Sequence, residues 1–253
     1  GGISIGGLGA GSDGRGGYYF QASPFNPASP SGESPDSLAI LRWDGKLAMD
    51  TVAWVVPPKS SISTSGSSGN RRVSMAIGGS KVFTPAEAWG VADDGSIARV
   101  VPSPYRVLWY GPKAATPVAG PIQAYTPMKV TEEDKKEVIE QRKKSRPMFI
   151  TMGPGGRQAN SGNIQMPDPE FEDTKPPFTS QGAVAVSPDG EVWVQRTQPA
   201  GAKAPLYDVF DRTGKLARKG TLRPASRVIG FGRTRTIFST LNGIDVRASR
   251  PSV

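Results

Sequence analysis

The chain has 253 residues and a formal net charge of +9, with 31 glycines, 24 prolines, and neither cysteine nor histidine. That length holds one large all-β domain or two smaller ones, and the Gly and Pro content calls for many turns. The missing residue types exclude disulfides, thiolate chemistry, and the commonest general base and zinc ligand; carboxylate chemistry and oxygen-ligated calcium stay open.

In chain order, residues 1–56 predict four strands, near Ile3–Leu8, Gly17–Gln21, Leu38–Trp43 and Thr51–Val56. The Pro- and Ser-rich connection from Ala22 to Asp36 predicts a surface loop, and Asp44-Gly45 predicts a hairpin turn. Residues 57–70 are nearly all small or polar and predict an exposed, mobile loop. Residues 71–110 repeat the first pattern, with strands near Arg71–Ile77, Ala88–Ala92, Ser96–Val101 and Tyr105–Tyr110 and a tight turn at Asp93-Asp94-Gly95.

Residues 111–180 break the pattern and read as an insertion. After four prolines, Thr131-Glu132-Glu133-Asp134 opens a helix over Glu132–Lys144. Thr131 caps it, with Asp134 at the capping-box position. Acids fill the first turn and Arg142-Lys143-Lys144 the last, which matches the helix dipole. Few apolar residues lie on this helix, so it belongs on the outside of the domain. Residues 181–222 predict a third sheet, with strands Ala183–Val186, Glu191–Arg196, Leu206–Phe210 and Leu216–Thr221 and turns at Asp189-Gly190 and Thr213-Gly214. Residues 223–253 give a shorter closing piece with strands near Arg227–Phe231, Thr234–Ser239 and Gly243–Arg247.

The recurring phrase is a turn with glycine at its second centre followed by an alternating apolar strand, as at Asp13-Gly14, Asp94-Gly95, Asp189-Gly190 and Thr213-Gly214. These aspartates are expected as turn formers and not as calcium ligands, since Asp-Gly is a preferred turn dipeptide. Asp208 and Asp211, three apart on a strand and its turn, point to opposite faces and are expected at the surface and in the turn, not as a glycosidase pair. Gly6, Gly9 and Gly11 lack the strand–turn–helix setting of a dinucleotide-binding loop. Trp43, Trp89, Trp109 and Trp193 fall about one per sheet, which suits packing between neighbouring sheets; Trp54 is expected to face a partner.

Several of these segments resemble bacterial six-bladed β-propeller proteins of the NHL/TolB-like type. The resemblance rests on Ser187-Pro188-Asp189-Gly190-Glu191-Val192-Trp193-Val194 followed by Tyr207-Asp208-Val209-Phe210-Asp211-Arg212-Thr213-Gly214, and on Arg227-Val228-Ile229-Gly230-Phe231-Gly232. Leu41-Arg42-Trp43-Asp44, Asp50-Thr51-Val52-Ala53, Tyr105-Arg106-Val107 and Pro127-Met128-Lys129-Val130-Thr131 are also similar to its middle blades and its insert. It implies an all-β fold of four-stranded antiparallel blades with one inserted surface helix: a blade over 1–56, a loop over 57–70, a blade over 71–110, an insertion over 111–180, a blade over 181–222 and a partial closing blade over 223–253. Three sheets and a partial one are too few for six blades, so the expectation is that blades precede Gly1 or that another chain supplies them.

The function expected is non-enzymatic: a protein-binding or scaffolding module of the cell envelope, periplasmic or extracellular, serving as an accessory subunit of a membrane-associated assembly. The candidate partner-binding residues are Arg142, Lys143, Lys144 and Trp109, and the expected partner is an acidic or membrane-embedded protein. Basic residues do not alternate with aromatic ones on any strand, so nucleic acid is disfavoured. No apolar run is long enough to span a bilayer, and no cofactor is expected; calcium has no supporting ligand set. The rival reading, carried by the likeness to propeller lactonases, is a divalent-metal hydrolase at the channel mouth, but no Glu–Asn–Asp trio is placed for it in this sequence.

Overall fold

A computed structural model describes residues 11–22, 36–46, 49–57, 61–65, 74–78, 81–144, 149–153, 156–160, 168–179, 181–231, 235–240 and 243–248. The fold is mostly β, built from antiparallel sheets with one α-helix among the described residues. The first sheet holds β1 (Gly11–Ser12), β2 (Tyr18–Gln21), β3 (Leu38–Trp43) and β4 (Met49–Val55) in that order. A separate hairpin pairs β5 (Ser61–Ser65) with β6 (Ser74–Gly78). The second sheet runs β7 (Ala88–Val91), β8 (Ile97–Pro102), β9 (Tyr105–Tyr110) and β10 (Val118–Ala119).

The insertion follows, with β11 (Met128–Lys129), α1 (Glu132–Lys144), the hairpin of β12 (Phe149–Gly153) and β13 (Gly156–Asn160), and β14 (Thr174–Lys175), which pairs with β11. The third sheet holds β15 (Val184–Val186), β16 (Val192–Gln195), β17 (Leu206–Phe210) and β18 (Leu216–Thr221). The last described sheet has three strands, β19 (Ser226–Phe231), β20 (Arg235–Thr240) and β21 (Gly243–Ala248). No described helix is long and apolar enough to cross a membrane.

The first strands β1, β7, β15 and β19 approach one another in chain order, so each sheet packs face-on against the next. Alternation along the strands explains why this works. Between the first and second sheets, Tyr19, Ile40, Ala53 and Val55 meet Trp89, Ile97 and Tyr110. Between the second and third, Ala98, Val100, Val107 and Trp109 meet Val192, Val194 and Phe210, with Phe178 of the insertion closing the same core. Each of these large side chains contributes roughly 1.5–3 kcal/mol by leaving water. Small residues set the spacing near the first strands: a Cβ on Gly90 would stand 2.5 Å from Val186 Cγ2.

Two expectations about strand placement change. Ser61–Ser65, expected within a loop, alternates Ile62 and Thr64 with serines and pairs as β5; polar composition hid a period-two strand. Its partner Ser74–Gly78 belongs to that hairpin and not to the second sheet, whose fourth strand is β10, inside the stretch read as insertion. The turn glycines behave as the Asp-Gly and Thr-Gly pairs predict at Gly45, Gly95, Gly190 and Gly214, all with positive φ. At the first turn the left-handed residue is Gly16 instead of Gly14. The expected strand at Ile3–Leu8 and most of the loop from Ala22 to Asp36 lie outside the described residues.

Candidate functional site

The insertion is held to the sheets at its base, and the start of α1 is where the tethers converge. Thr131 and Asp134 form the predicted capping box: Asp134 N donates to Thr131 Oγ1 at 3.3 Å, and Thr131 N donates to Asp134 Oδ2 at 2.9 Å. The other oxygen of Asp134 reaches outside the helix. It accepts from Lys175 Nζ at 2.5 Å and from Ala200 N at 2.8 Å, in the loop between β16 and β17. Lys175 Nζ also donates to Gln198 O at 2.9 Å and lies over the Phe83 ring. Both partners are buried, at 4% and 2% exposure, so the pair acts with little solvent screening. Burial alone would raise the Asp134 carboxyl, but hydrogen bonds from Lys175 and Thr131 outweigh it and hold it below the usual carboxylate range.

Further tethers surround this pair. Glu137, one turn on, accepts from Gly201 N at 3.2 Å. Strand β14 pairs with β11, and Val130 N donates to Asp173 O. Val82 exchanges hydrogen bonds with Glu170 and Glu172, and Thr84 Oγ1 reaches Glu172 at 3.0 Å. A cleft of about 370 Å³ lies beside the helix, lined by Val130, Lys135, Pro169, Phe171, Glu172 and Asp173. At the other end of the helix, Arg142 and Lys143 are exposed. Lys144 closes the helix, and its side chain lies outside the described set.

Trp109 is elsewhere. It sits in the core between the second and third sheets, buried, so its surface role is withdrawn. The reason is its register: Trp109 pairs with Ala98, whose face turns to the third sheet. Among the expected partner-binding residues, the three basic ones therefore lie on α1 and Trp109 lies in the core between the second and third sheets. Trp89 and Trp193 also pack between sheets, while Trp43 and Trp54 are exposed.

Asp208 also departs from expectation. It is buried and not a surface residue: Arg196 Nη1 donates to its Oδ2 at 2.6 Å and Tyr105 Oη at 3.0 Å. Burial, and then the Asp208 charge, push the Tyr105 hydroxyl far up, so it stays a proton donor. Arg196 stacks over Tyr105 and Tyr125, tying the insertion to the second and third sheets. Asp211 is the turn residue expected, accepting from Thr213 and Lys215.

A second cleft, about 540 Å³, opens where the turns of the first two sheets meet. Its wall is a closed network. Asp13 accepts from Arg15 N, Gly17 N, Tyr19 Oη and Arg42 Nε, while Arg42 Nε also donates to Tyr19. Burial would raise the Asp13 carboxyl, but those donors hold it low. Asp94 on the same rim pairs with Arg212 of the third sheet at 2.8 Å. Both carboxylates thus serve turns and sheet-to-sheet contacts, and among the described residues no group of three or more His, Cys, Asp or Glu is placed to hold a metal.

Lys175 carried no sequence signal of its own beyond a position between two polar residues and two prolines, and Asp134 was legible only as a cap. No protein-family model matches the chain, and no curated protein matches it.

Proposed function

We propose that the chain is a non-enzymatic, protein-binding scaffold whose sheets are consecutive blades of a β-propeller, with α1 presented as the docking element. The observation that carries this reading is the asymmetric construction of the helix. Its acidic first turn is locked to the sheets by the buried Asp134–Lys175 pair, and its basic last turn projects Arg142 and Lys143 into solvent. A helix serving only to cover a core would carry an apolar stripe; this one has only Val138 and Ile139 as apolar side chains, both half-buried, so much of its stabilisation comes from the tethers at its base. The free basic end suits an acidic protein surface, and the +9 net charge favours encounter with one.

The propeller reading is supported by the chain-order contact of the first strands and by the repeated four-stranded meander. A six-bladed ring, as the family resemblance implies, needs sheets beyond those described. A setting in the cell envelope, as an accessory subunit, follows from the same resemblance. The rival metal-dependent hydrolase gains no support from any cluster of carboxylates among the described residues.

The test is affinity purification from envelope extracts of the natural host. The unaltered chain is expected to bring down a stoichiometric acidic protein, and the double variant Arg142→Glu/Lys143→Glu is expected to lose it with far-UV circular dichroism unchanged. Retention of that protein by the double variant would remove α1 from the account.

A further inference from the structure

The positive charge of the chain is confined to one end of it. Residues 1–211 carry 21 Lys and Arg against 21 Asp and Glu. Residues 212–253 carry ten Lys and Arg and one acid, Asp245, so the whole net charge of +9 resides there. Such an asymmetry within one chain points to a polyanionic surface as partner.

The fold lays the described part of this segment along a rim. β18 is the fourth strand of the third sheet, at the edge farthest from the first strands through which the sheets meet. Face-to-face packing of sheets leaves that edge open. The ladder continues past the strand, where Leu222 N donates to Pro205 O, and Ser226 N closes a turn onto Arg223 O before β19 begins. Lys215, Arg218, Lys219, Arg223 and Arg227 are all exposed along this path. From Lys215 to Arg223 it covers about 25 Å, at roughly 3.3 Å per residue. Arg218 is balanced by Glu191, and Lys215 lies near Asp211. Lys219, Arg223 and Arg227 form no ion pair among the described residues. Lysine on an edge strand can also guard against pairing with another chain, but such a guard would stand on every outer strand. β4 and β10, the outer strands of the first two sheets, hold neither Lys nor Arg.

The side chains select the kind of polyanion. Residues 215–227 contain no aromatic ring to anchor a protein or to stack on a base. Neither cleft described above is lined by any of them. A lipid headgroup layer needs neither anchor nor cleft: its phosphates move to the cations, and the long Lys and Arg stems carry their charges to headgroup level.

We infer that this rim is a lipid-facing surface: β18 and the turn after it lie on an anionic membrane, with Lys219, Arg223 and Arg227 among the lipid phosphates. The contact is peripheral. It is independent of the docking role of α1, which lies on a different element.

Co-sedimentation with vesicles tests it. The 253-residue chain is expected to bind phosphatidylcholine vesicles containing about 40% phosphatidylglycerol at about 0.1 M salt, and to leave them at about 0.5 M, where screening is stronger. Pure phosphatidylcholine vesicles are expected to retain none of it. Lys219→Gln/Arg223→Gln is expected to bind about 30-fold more weakly with an unchanged circular dichroism spectrum, since each cation near such a surface contributes about fivefold. Should that pair fail to fold, Arg223→Gln alone decides, with about a fivefold loss expected. Lys46→Gln/Lys113→Gln removes the same charge from exposed positions beside the first two sheets and is expected to bind within about threefold of the unaltered chain. No binding to the anionic vesicles, equal binding to pure phosphatidylcholine, an equal loss in both double variants, or binding to a DNA duplex but not to the vesicles would each overturn the assignment.

Discussion

Lys175→Met isolates the physics that fixes the docking helix. Lys175 and Asp134 are both buried and 2.5 Å apart, so deleting the ammonium leaves a carboxylate out of water with only Thr131 and Ala200 to satisfy it. Removing one partner of such a pair costs about 3–5 kcal/mol, whereas replacing both by apolar side chains of similar volume is close to neutral. At the lower figure, the population in which the base of α1 has detached rises on the order of 100-fold, since each 1.4 kcal/mol is a factor of ten. Hydrogen exchange reads this directly. Amides of 130–137 and 174–175 are expected to exchange about 100-fold faster in Lys175→Met, while those of the second sheet keep their protection. The double variant Asp134→Leu/Lys175→Met is expected to restore protection to within about tenfold of the unaltered chain. A single variant that exchanges like the unaltered chain, or a double variant worse than the single, would refute the claim that this pair holds the helix.

Four carboxyls, Asp13, Asp94, Asp134 and Asp211, are held below the ordinary value of 3.8 in the folded chain. Each contributes stability that is fully present above that value and is lost as the pH falls through the lower folded one, so the melting temperature should be level above about pH 5 and fall below about pH 4. Asp134→Asn should make that acid slope shallower; a melting temperature that rises on acidification contradicts the assignment. Trp109→Ala should cost about 3–5 kcal/mol by denaturant unfolding, as expected for a core residue, and Trp109→Phe much less, because the buried indole N–H has no hydrogen-bond partner to lose. A near-neutral Trp109→Ala would return Trp109 to the surface. Gly214→Ala should destabilise by roughly 1–3 kcal/mol: φ there is 75°, and its Cβ would stand 2.8 Å from Gly120 Cα. Gly220→Ala, with open space around it, serves as the control and should leave stability within about 1 kcal/mol.

The strands with strong apolar alternation were legible in the sequence. Leu38–Trp43, Tyr105–Tyr110 and Leu206–Phe210 occur with the boundaries expected, as do Leu216–Thr221, which follows the Thr213-Gly214 turn, and the helix Glu132–Lys144 with its capping box. Short or polar strands were not. β1 and β10 are two residues each and exist because neighbouring strands recruit them, and β5 alternates with serine, which composition assigns to a loop. Partners distant in sequence were hidden for the same reason. Nothing local in Lys175 announces Asp134, 41 positions earlier, and Asp208 looks like a turn aspartate until Arg196 and Tyr105 converge on it. The sequence around Trp109 suits both packing and binding, and only the register of β8 with β9 decides between them.

The central claim, that the anchored helix presents its basic end to a protein partner, is tested most directly by a photo-crosslinking amino acid placed at Lys143 in the natural host, with the same residue at Lys219 on β18, which is also exposed, as the reference. The account predicts one discrete covalent adduct with an acidic envelope protein from position 143 and none of it from position 219. The same adduct from both positions, or none from 143, would contradict it.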